Sequence, residues 1–223
     1  MEVVPFYLLL HTSKKCMTPS ENFVSQYCRI RQNSISANGE LIFQTKDLHF
    51  QDFADSSYRH FELAYPKFHK MDNLSKLGLL AADILLKDNN LSQNCTPYQI
   101  GVILSNSNSS LDTDVKYMNM VKKGVASPAV FVYSLPNIVI GEICIRNGIK
   151  GENTFFISDH YNIPQQVQYV NHLLNTDVIE TCICGWVELM GDTYDAFLYL
   201  VEKTGIRKGA IHNVQTIEQL YNI

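Results

Sequence analysis

The segment that most constrains the fold covers residues 126–162 and predicts a helix followed directly by a strand. Pro136 stands in the first turn of the expected helix, where its missing N–H removes no helical hydrogen bond. Gly148 follows the last helical residue, at the position where a left-handed backbone commonly ends a helix. After Gly151 the chain continues as the apolar strand NTFFIS. Alternation of strands and helices of this length is typical of an α/β protein with a mainly parallel sheet.

The other hydrophobic patterns predict further strands and helices. Residues 3–10 form a continuous apolar run, as expected of a strand buried on both faces, although Pro5 removes one ladder donor. Asp72 can cap a helix over residues 73–88 that is apolar nearly all round and therefore buried on most sides. The remaining predicted strands cover residues 99–105, 153–158 and 177–185, and the remaining helices cover residues 111–123, 138–147, a stretch from Pro164, residues 193–203 between Asp192 and Gly205, and a turn or two at 216–221.

The region from about residue 13 to 65 has no clear period. Asn38-Gly39 is a strong turn signal between residues 29–31 and 41–43, which predicts a hairpin. Residues 51–69 mix aromatic and polar side chains and predict a loop with one short helix. We therefore expect a single domain over residues 1–223, with an irregular insertion at about residues 13–65.

The composition excludes several classes of function. With 46% hydrophobic and 18% charged residues, a chain of 223 residues can bury a core. A net charge of −4 leaves no basic footprint for nucleic acid or for an anionic membrane surface. No apolar run approaches the roughly 20 residues that span a bilayer, and the start of the chain lacks the basic region of a signal peptide. We expect a cytoplasmic protein with no membrane span, no nucleic-acid partner and no cofactor.

The cysteines predict no metal site and no disulfide framework. They are scattered without a C-x-x-C pattern, as expected of reduced thiols: Cys16, Cys28, Cys95, Cys144, Cys182 and Cys184. Cys182 and Cys184 share one face of a predicted strand, but only Glu180 and Glu188 stand near them as further ligands. We interpret the cysteines as buried structural thiols.

Several short motifs resemble the N-terminal half of a β-ketoacyl-acyl carrier protein synthase, or ketosynthase, of the thiolase superfamily. The matching positions are Ser127-Pro128, Phe131, Ser134-Leu135-Pro136-Asn137, Gly141, Gly148-Ile149-Lys150-Gly151 and Asn153. The run Cys184-Gly185-Trp186-Val187-Glu188 also resembles a strand ending of that family, and the likeness extends from about Pro66 to Gly205. The resemblance implies a thiolase-like half-fold, with a mainly parallel mixed sheet of about five strands and helices on both faces.

The resemblance also places the family's nucleophilic cysteine at a position that His160 occupies here. The family's two catalytic histidines belong to motifs of a C-terminal half, and neither motif occurs in these 223 residues. Because a ketosynthase carries its acyl chain on the thiolate, the resemblance implies no decarboxylative condensation by this chain alone. On an extended segment Ser158, Asp159 and His160 point to alternating faces, so we expect no triad among them.

Two further groups of residues are candidates for a site or an interface. The polar loop at residues 106–110 follows a predicted buried strand, where α/β sheets place sites, but it also fits a cluster of helix N-caps. The resemblance places the helix at 138–147 and the strand at 153–158 near the two-fold axis of a dimer. It gives as interface candidates Asn153, Phe155, Ile157, Asn137 and Glu142.

Three functions remain open from the sequence. The first is a non-catalytic subunit, similar to a chain-length factor, that pairs with a complete ketosynthase in fatty acid or polyketide-type biosynthesis and helps to dock an acyl carrier protein. The second is an acyltransferase or thioester hydrolase that uses His160. The third is a homodimeric module that binds acyl groups or a carrier protein. An isolated half-fold exposes surface that its missing half would bury, which favours a homo- or heterodimer unless residues 13–65 cover that surface.

Overall fold

The computed structural model describes residues 21–46, 48–89, 91–93, 95–203 and 209–223. The strands are β1 (Asn22–Arg31), β2 (Ser34–Ala37), β3 (Glu40–Gln44), β4 (Ile100–Asn106), β5 (Asn153–Ile157), β6 (Thr181–Met190), β7 (Thr193–Lys203) and β8 (Ala210–Ile211). The helices are α1 (Phe50–His60), α2 (Asn73–Leu85), α3 (Leu111–Lys122), α4 (Pro128–Val132), α5 (Ile138–Asn147), α6 (Ile163–Asn175) and α7 (Val214–Asn222). Within these ranges no helix combines the length and the apolar character needed to cross a membrane.

One mixed sheet runs through the described part of the molecule in the order β3-β2-β1-β7-β6-β4-β5, with β8 paired to β1. Strand β4 pairs in parallel with β5 and with β6, and the other pairs are antiparallel. The predicted α/β class is confirmed. The sheet has eight described strands rather than about five, because residues 22–44 add a meander and residues 193–203 add a strand.

Helices cover both faces of the sheet, as predicted. On one face, α1, α2 and α5 build a core around residues such as Phe53, Leu77 and Ile143. On the other face, α6 and α7 pack on a second core that includes Val170, Trp186 and Ile217 in its centre. Helix α2 is buried along almost its whole length, which confirms the interpretation of its all-round apolar pattern.

Most predicted elements lie where the sequence places them. The bounds of α2, α3, α5, α6, β4 and β5 agree with the prediction to within a few residues. Strand β6 begins at Thr181 and reaches Met190, so it lies further along the chain than expected. The C-terminal turn is a full helix, α7. The strand predicted at residues 3–10 lies outside the described residues, as do Cys16 and Gly205.

The region predicted to be irregular contains regular structure. Strands β1, β2 and β3 form an antiparallel meander, and the predicted hairpin turns at Asn38 and Gly39, whose φ angles are +50° and +87°. Positive φ at both turn residues is the geometry that Asn-Gly favours in a tight hairpin. Helix α1 and a 3₁₀ turn at Pro66–Lys70 follow, which agrees with the predicted short helix.

The helix predicted at residues 193–203 is wrong, because this segment is strand β7. Alternate side chains enter opposite cores: Ala196 and Leu198 face one side, whereas Phe197 and Tyr199 face the other. A strand that is buried on both faces is apolar without alternation. The continuous apolar run of residues 196–201 therefore resembles the apolar stripe of a helix. Asp192 does not start a helix in its own segment. It lies in the turn before β7 and accepts a hydrogen bond at 2.9 Å from the N–H of Phe50, the first residue of α1.

The start of α2 depends on Asp72, so its removal is a test of the fold. The Asp72 carboxylate accepts hydrogen bonds from the Ser75 N–H at 3.1 Å and from the Thr113 hydroxyl at 2.8 Å. We expect Asp72→Ala to lower the free energy of unfolding by about 1–3 kcal/mol, because both buried donors lose their acceptor. Urea denaturation of this variant measures the loss.

Asp88→Ala is the matched control, since Asp88 is exposed just after the same helix. A surface substitution of this kind changes the unfolding free energy by no more than about 0.5 kcal/mol. Equal losses in the two variants would contradict the assigned role of Asp72.

Candidate functional site

The loop after β5 carries the residue predicted to replace the nucleophile. His160 and Asp159 are both highly exposed, with side-chain exposures of 74% and 88%. His160 Nδ1 lies 2.6 Å from Asp159 Oδ1. The prediction that these neighbours point to opposite faces is wrong, because the chain bends at residues 159–160 instead of continuing as a strand.

The third member of the predicted trio stays apart from the imidazole ring. The Ser158 hydroxyl donates to the backbone carbonyl of His160 at 2.7 Å. Among the described residues, none makes a hydrogen bond to Nε2 of His160. The loop therefore holds a His–Asp pair without an aligned nucleophile, which is not a hydrolytic triad.

The polar loop after β4 is closed by a carboxylate of the chain itself. Glu188 on β6 accepts hydrogen bonds from the N–H and hydroxyl of Ser107 and from the N–H and side-chain amide of Asn108, at 2.5–3.3 Å. Ser110 occupies the N-cap position of α3 but makes no capping hydrogen bond. Its hydroxyl is 2.9 Å from the Ser134 carbonyl. The loop thus offers its donors to Glu188, a partner that the sequence analysis did not identify.

A buried polar network behind the His160 loop also escaped the sequence analysis. Tyr161 and Tyr199 both donate to the side-chain oxygen of Gln166, at 2.5 and 3.2 Å. Tyr199 lies 3.5 Å from Nε2 of His212, whose Nδ1 lies 2.8 Å from Asn171. Desolvation raises the pKa of both tyrosines well above the ordinary value. Burial lowers the pKa of His212 to about 3, so its ring is neutral in the folded protein.

The network fixes α6 against the sheet. The Gln166 amide donates to the carbonyls of Ile103 on β4 and Gly185 on β6, at 3.1 and 3.0 Å. It therefore bridges two parallel strands at the point where a helix starts above them. One feature of the sequence could have indicated this role: Gln166 is a polar residue within the apolar stripe of α6, beside Val167 and Val170.

The cysteines lie where structural thiols are expected. Cys28, Cys95, Cys144, Cys182 and Cys184 are free thiols, and Cys182 and Cys184 are fully buried. Desolvation raises the pKa of Cys28 to about 12 and that of Cys144 to about 11. Thiols with such pKa values are not nucleophiles near neutral pH.

The structure separates the interface candidates into two groups. Asn137, Asn153 and Ile157 are exposed, and Phe155 packs partly against the core. Glu142 is only 4% exposed. Its carboxylate lies 2.7 Å from Lys67 Nζ and accepts a hydrogen bond from the Tyr133 hydroxyl at 3.0 Å. Glu142 is therefore inside the chain and not on the surface that a partner would meet.

The exposed apolar side chains concentrate in one segment. Eight of them, with exposures of 43–57%, lie between residues 111 and 135, and we call this set the apolar patch: Leu111, Val115, Met118, Val121, Val125, Phe131, Val132 and Leu135. Thr113 is the only buried residue of α3, so the other described elements cover little of this helix. The rings of Tyr117 and Phe131 lie 5.5 Å apart and join α3 to α4. Monomeric proteins rarely leave such a surface in water.

Strand β5 stands at one edge of the described sheet. It pairs only with β4 among the described strands, and Ile157 at its end stands opposite Asn106. Helix α3 begins at Leu111, shortly after Asn106. The outer face of α6 differs, because after Pro164 its exposed residues are the polar Gln165, Gln168 and His172.

No protein-family model and no curated protein matches this chain. Solved structures do. A chain of the ishigamide ketosynthase/chain length factor aligns at a TM-score of 0.64 with 15% identity, covering 85% of this chain and 64% of that one. A type II PKS acyl-carrier protein in complex with its ketosynthase bound to the hexaketide gives a TM-score of 0.61 with 14% identity, over 92% of this chain and 66% of that one. The fold is that of the ketosynthases.

A third structure matches over nearly the full length of both chains. It is a ketosynthase in complex with its chain length factor from Xenorhabdus doucetiae, with a TM-score of 0.55 and 11% identity. The match covers 91% of this chain and 90% of that one. In the first two structures, by contrast, this chain spans just under two thirds of the length of the matched chain. The ketosynthase fold thus occurs in a chain of nearly this length.

The buried network predicts an acid-sensitive stability. The pKa of His212 is about 3 in the folded protein, against 6.5 for the free side chain. A lowered histidine pKa means that the unfolded chain binds the proton first, so stability is full above about pH 6.5 and is lost as the pH falls. Between pH 7 and pH 5 we expect His212 to remove about 2 kcal/mol from the free energy of unfolding.

Urea unfolding at the two pH values, for the wild type and for His212→Gln, isolates this contribution from that of the carboxylates. The variant should lose about 2 kcal/mol less than the wild type over this interval. An identical pH dependence in both proteins would show that His212 is not a buried neutral ring.

Proposed function

We propose that this chain is a non-catalytic, chain-length-factor-like subunit that pairs with a complete ketosynthase in fatty acid or polyketide-type biosynthesis. The observation that carries the proposal is the apolar patch between residues 111 and 135, on a chain with the ketosynthase fold. The proposal treats the whole chain as one domain, because a single sheet joins its two cores.

The distribution of exposed apolar side chains supports a partner that covers only a limited part of the surface. The outer face of α6 is polar, and α7 covers part of the second core through Ile217. The surface that needs a partner is therefore the apolar patch and not the whole face that a second half-fold would bury. Asn137, Asn153 and Ile157 are exposed and belong to the proposed interface, whereas Glu142 does not.

The chemistry of the loop after β5 supports a non-catalytic role. A ketosynthase nucleophile is a thiolate, and His160 occupies the position that the resemblance gives to it. The described cysteines are mostly buried, and the raised pKa values of Cys28 and Cys144 make these two thiols poor nucleophiles. The partner ketosynthase would supply the nucleophile, and the acyl carrier protein would deliver the acyl chain to the pair.

The test is the native mass of the chain, alone and after mixing with the complete ketosynthase encoded nearest to it. We expect a one-to-one heterodimer. Phe131→Asp and Leu135→Asp should each weaken it by more than about tenfold, because each places a charge in a desolvated interface. Native mass spectrometry at several concentrations measures the dissociation constant.

Leu41→Asp is the matched control for Leu135→Asp. The two leucines have similar exposures of 60% and 57%, but Leu41 lies on β3 at the other edge of the sheet. The control variant should pair as the wild type does. A homodimer that ignores the ketosynthase would overturn the proposal and favour the homodimeric binding module.

Thioester hydrolysis through His160 is the second candidate function, and the Asp159–His160 contact favours it. A base without an aligned nucleophile gives little rate acceleration. We expect acyl-thioester turnover by the chain alone to equal the background, with no difference between the wild type and His160→Ala. Spectrophotometric detection of released thiol measures it. Turnover that falls about a hundredfold or more in His160→Ala would establish the hydrolase instead.

A further inference from the structure

One face of the β1–β2 ribbon carries basic and hydroxyl side chains instead of a core. Tyr27, Arg29 and Arg31 alternate along β1 and therefore share a face. The register places Ser36 opposite Arg29 and Ser34 opposite Arg31. On β7 the residues opposite Tyr27 and Arg29 are Tyr199 and Phe197, which belong to the second core, whereas the residue opposite Arg31 is Asp195.

The two arginines differ in how their charge is balanced. The Arg31 guanidinium donates to both oxygens of the Asp195 carboxylate, at 2.5 and 3.0 Å. It also lies 4.5 Å from the ring centre of Tyr221, which itself donates to Asp195. Arg29 donates only to the Tyr221 carbonyl, over 3.4 Å, and no described carboxylate lies within ion-pair distance of it. Arg29 therefore carries an unbalanced positive charge.

Arg29 faces a cleft that is lined by hydroxyl side chains and by a second arginine, Arg31. The cleft has a volume of about 460 Å³ and lies between the β1–β2–β3 meander and the end of α7. The hydroxyls of Tyr27 and Ser36 line it, and neither makes a hydrogen bond to another described residue. No described Asp or Glu side chain lines the cleft. Leu41, Leu220 and Ile223, the last residue of the sequence, form its apolar rim.

We propose that this cleft binds the oxyanion group, phosphate or carboxylate, of a small molecule. A guanidinium offers a planar pair of N–H donors that matches either group, and charge-assisted hydrogen bonds of this kind are the strong ones. The hydroxyls of Tyr27 and Ser36 supply further donors from the same side. The volume lies within the range of small-molecule sites, and the Leu41–Leu220 rim accommodates a short apolar arm beside the anion.

The site is independent of the proposed pairing with a ketosynthase. The cleft is lined by residues of the β1–β2–β3 meander and of the end of α7, and none of them belongs to the apolar patch. Binding of an oxyanion and formation of a heterodimer are therefore separate measurements, and either can fail without the other.

The experiment is a titration of the full chain, labelled with ¹⁵N, at fixed ionic strength. Inorganic phosphate and malonate are the two probes, and acetamide is the uncharged comparison. We expect saturable shifts of the Arg29 side-chain resonance and of the β1 and β2 amides, with a dissociation constant on the order of 1 mM or below. Tighter binding of phosphate assigns a phosphate ester as the ligand class, and tighter binding of malonate assigns a carboxylate.

Arg29→Gln should weaken binding of the preferred probe by about tenfold or more, since it removes the charge and the paired donors. Tyr27→Phe and Ser36→Ala should each weaken it several-fold. Arg59→Gln is the matched control, because Arg59 is exposed at the end of α1 and away from the cleft. Circular dichroism and melting temperature establish that each variant is folded.

Three results would overturn the proposal. One is the absence of a saturable shift with both probes. Another is equal affinity in the wild type and in Arg29→Gln. The third is an equal loss in Arg59→Gln, which would mean that the anions respond to net charge and not to the cleft.

Discussion

The pairing of β7 with β1 on one side and β6 on the other holds the described molecule together. Within the described sheet, the hydrogen bonds of these two ladders connect the meander at one edge to the parallel strands at the other. Each face of β7 enters a different core, so its side chains join the layer of α1, α2 and α5 to the layer of α6 and α7. Gly185 on β6 allows the close approach, because a Cβ there would meet the Phe197 carbonyl.

The exposed faces of the helices differ in polarity. The helix α6 presents glutamines and a histidine to solvent, and its inner side is tied to two strands by Gln166. Helix α3 is the opposite case, since it buries one residue and exposes apolar side chains. Among the described residues, α3 is therefore the helix whose apolar surface most lacks cover.

The sequence predicted those elements whose signals are local. Asp72, Gly148 and Asn38-Gly39 each act on a few neighbouring residues, and each marks the helix end or the turn that it predicts. The sequence could not reveal β7 as a strand, because a segment buried on both faces loses the alternation that identifies strands. Pairing partners far along the chain decide its state, and β1 lay in a region without a clear pattern.

The candidate site was less predictable than the fold. The carboxylate of Glu188 closes a loop some 80 positions earlier in the chain, and His212, between β8 and α7, contacts Asn171 and Tyr199. Such networks combine residues that are ordinary in isolation. The bend that brings Asp159 to His160 was missed for a different reason, since the segment was treated as a continuation of the strand.

The apolar patch also has a consequence for the life of the protein in the cell. It is formed by one continuous segment, so a newly folded copy displays it from the moment α3 and α4 are in place. Chaperones bind exposed apolar surface of this kind, and the same surface promotes aggregation. The amount of this chain should accordingly follow the supply of whatever covers α3, with surplus copies removed by degradation.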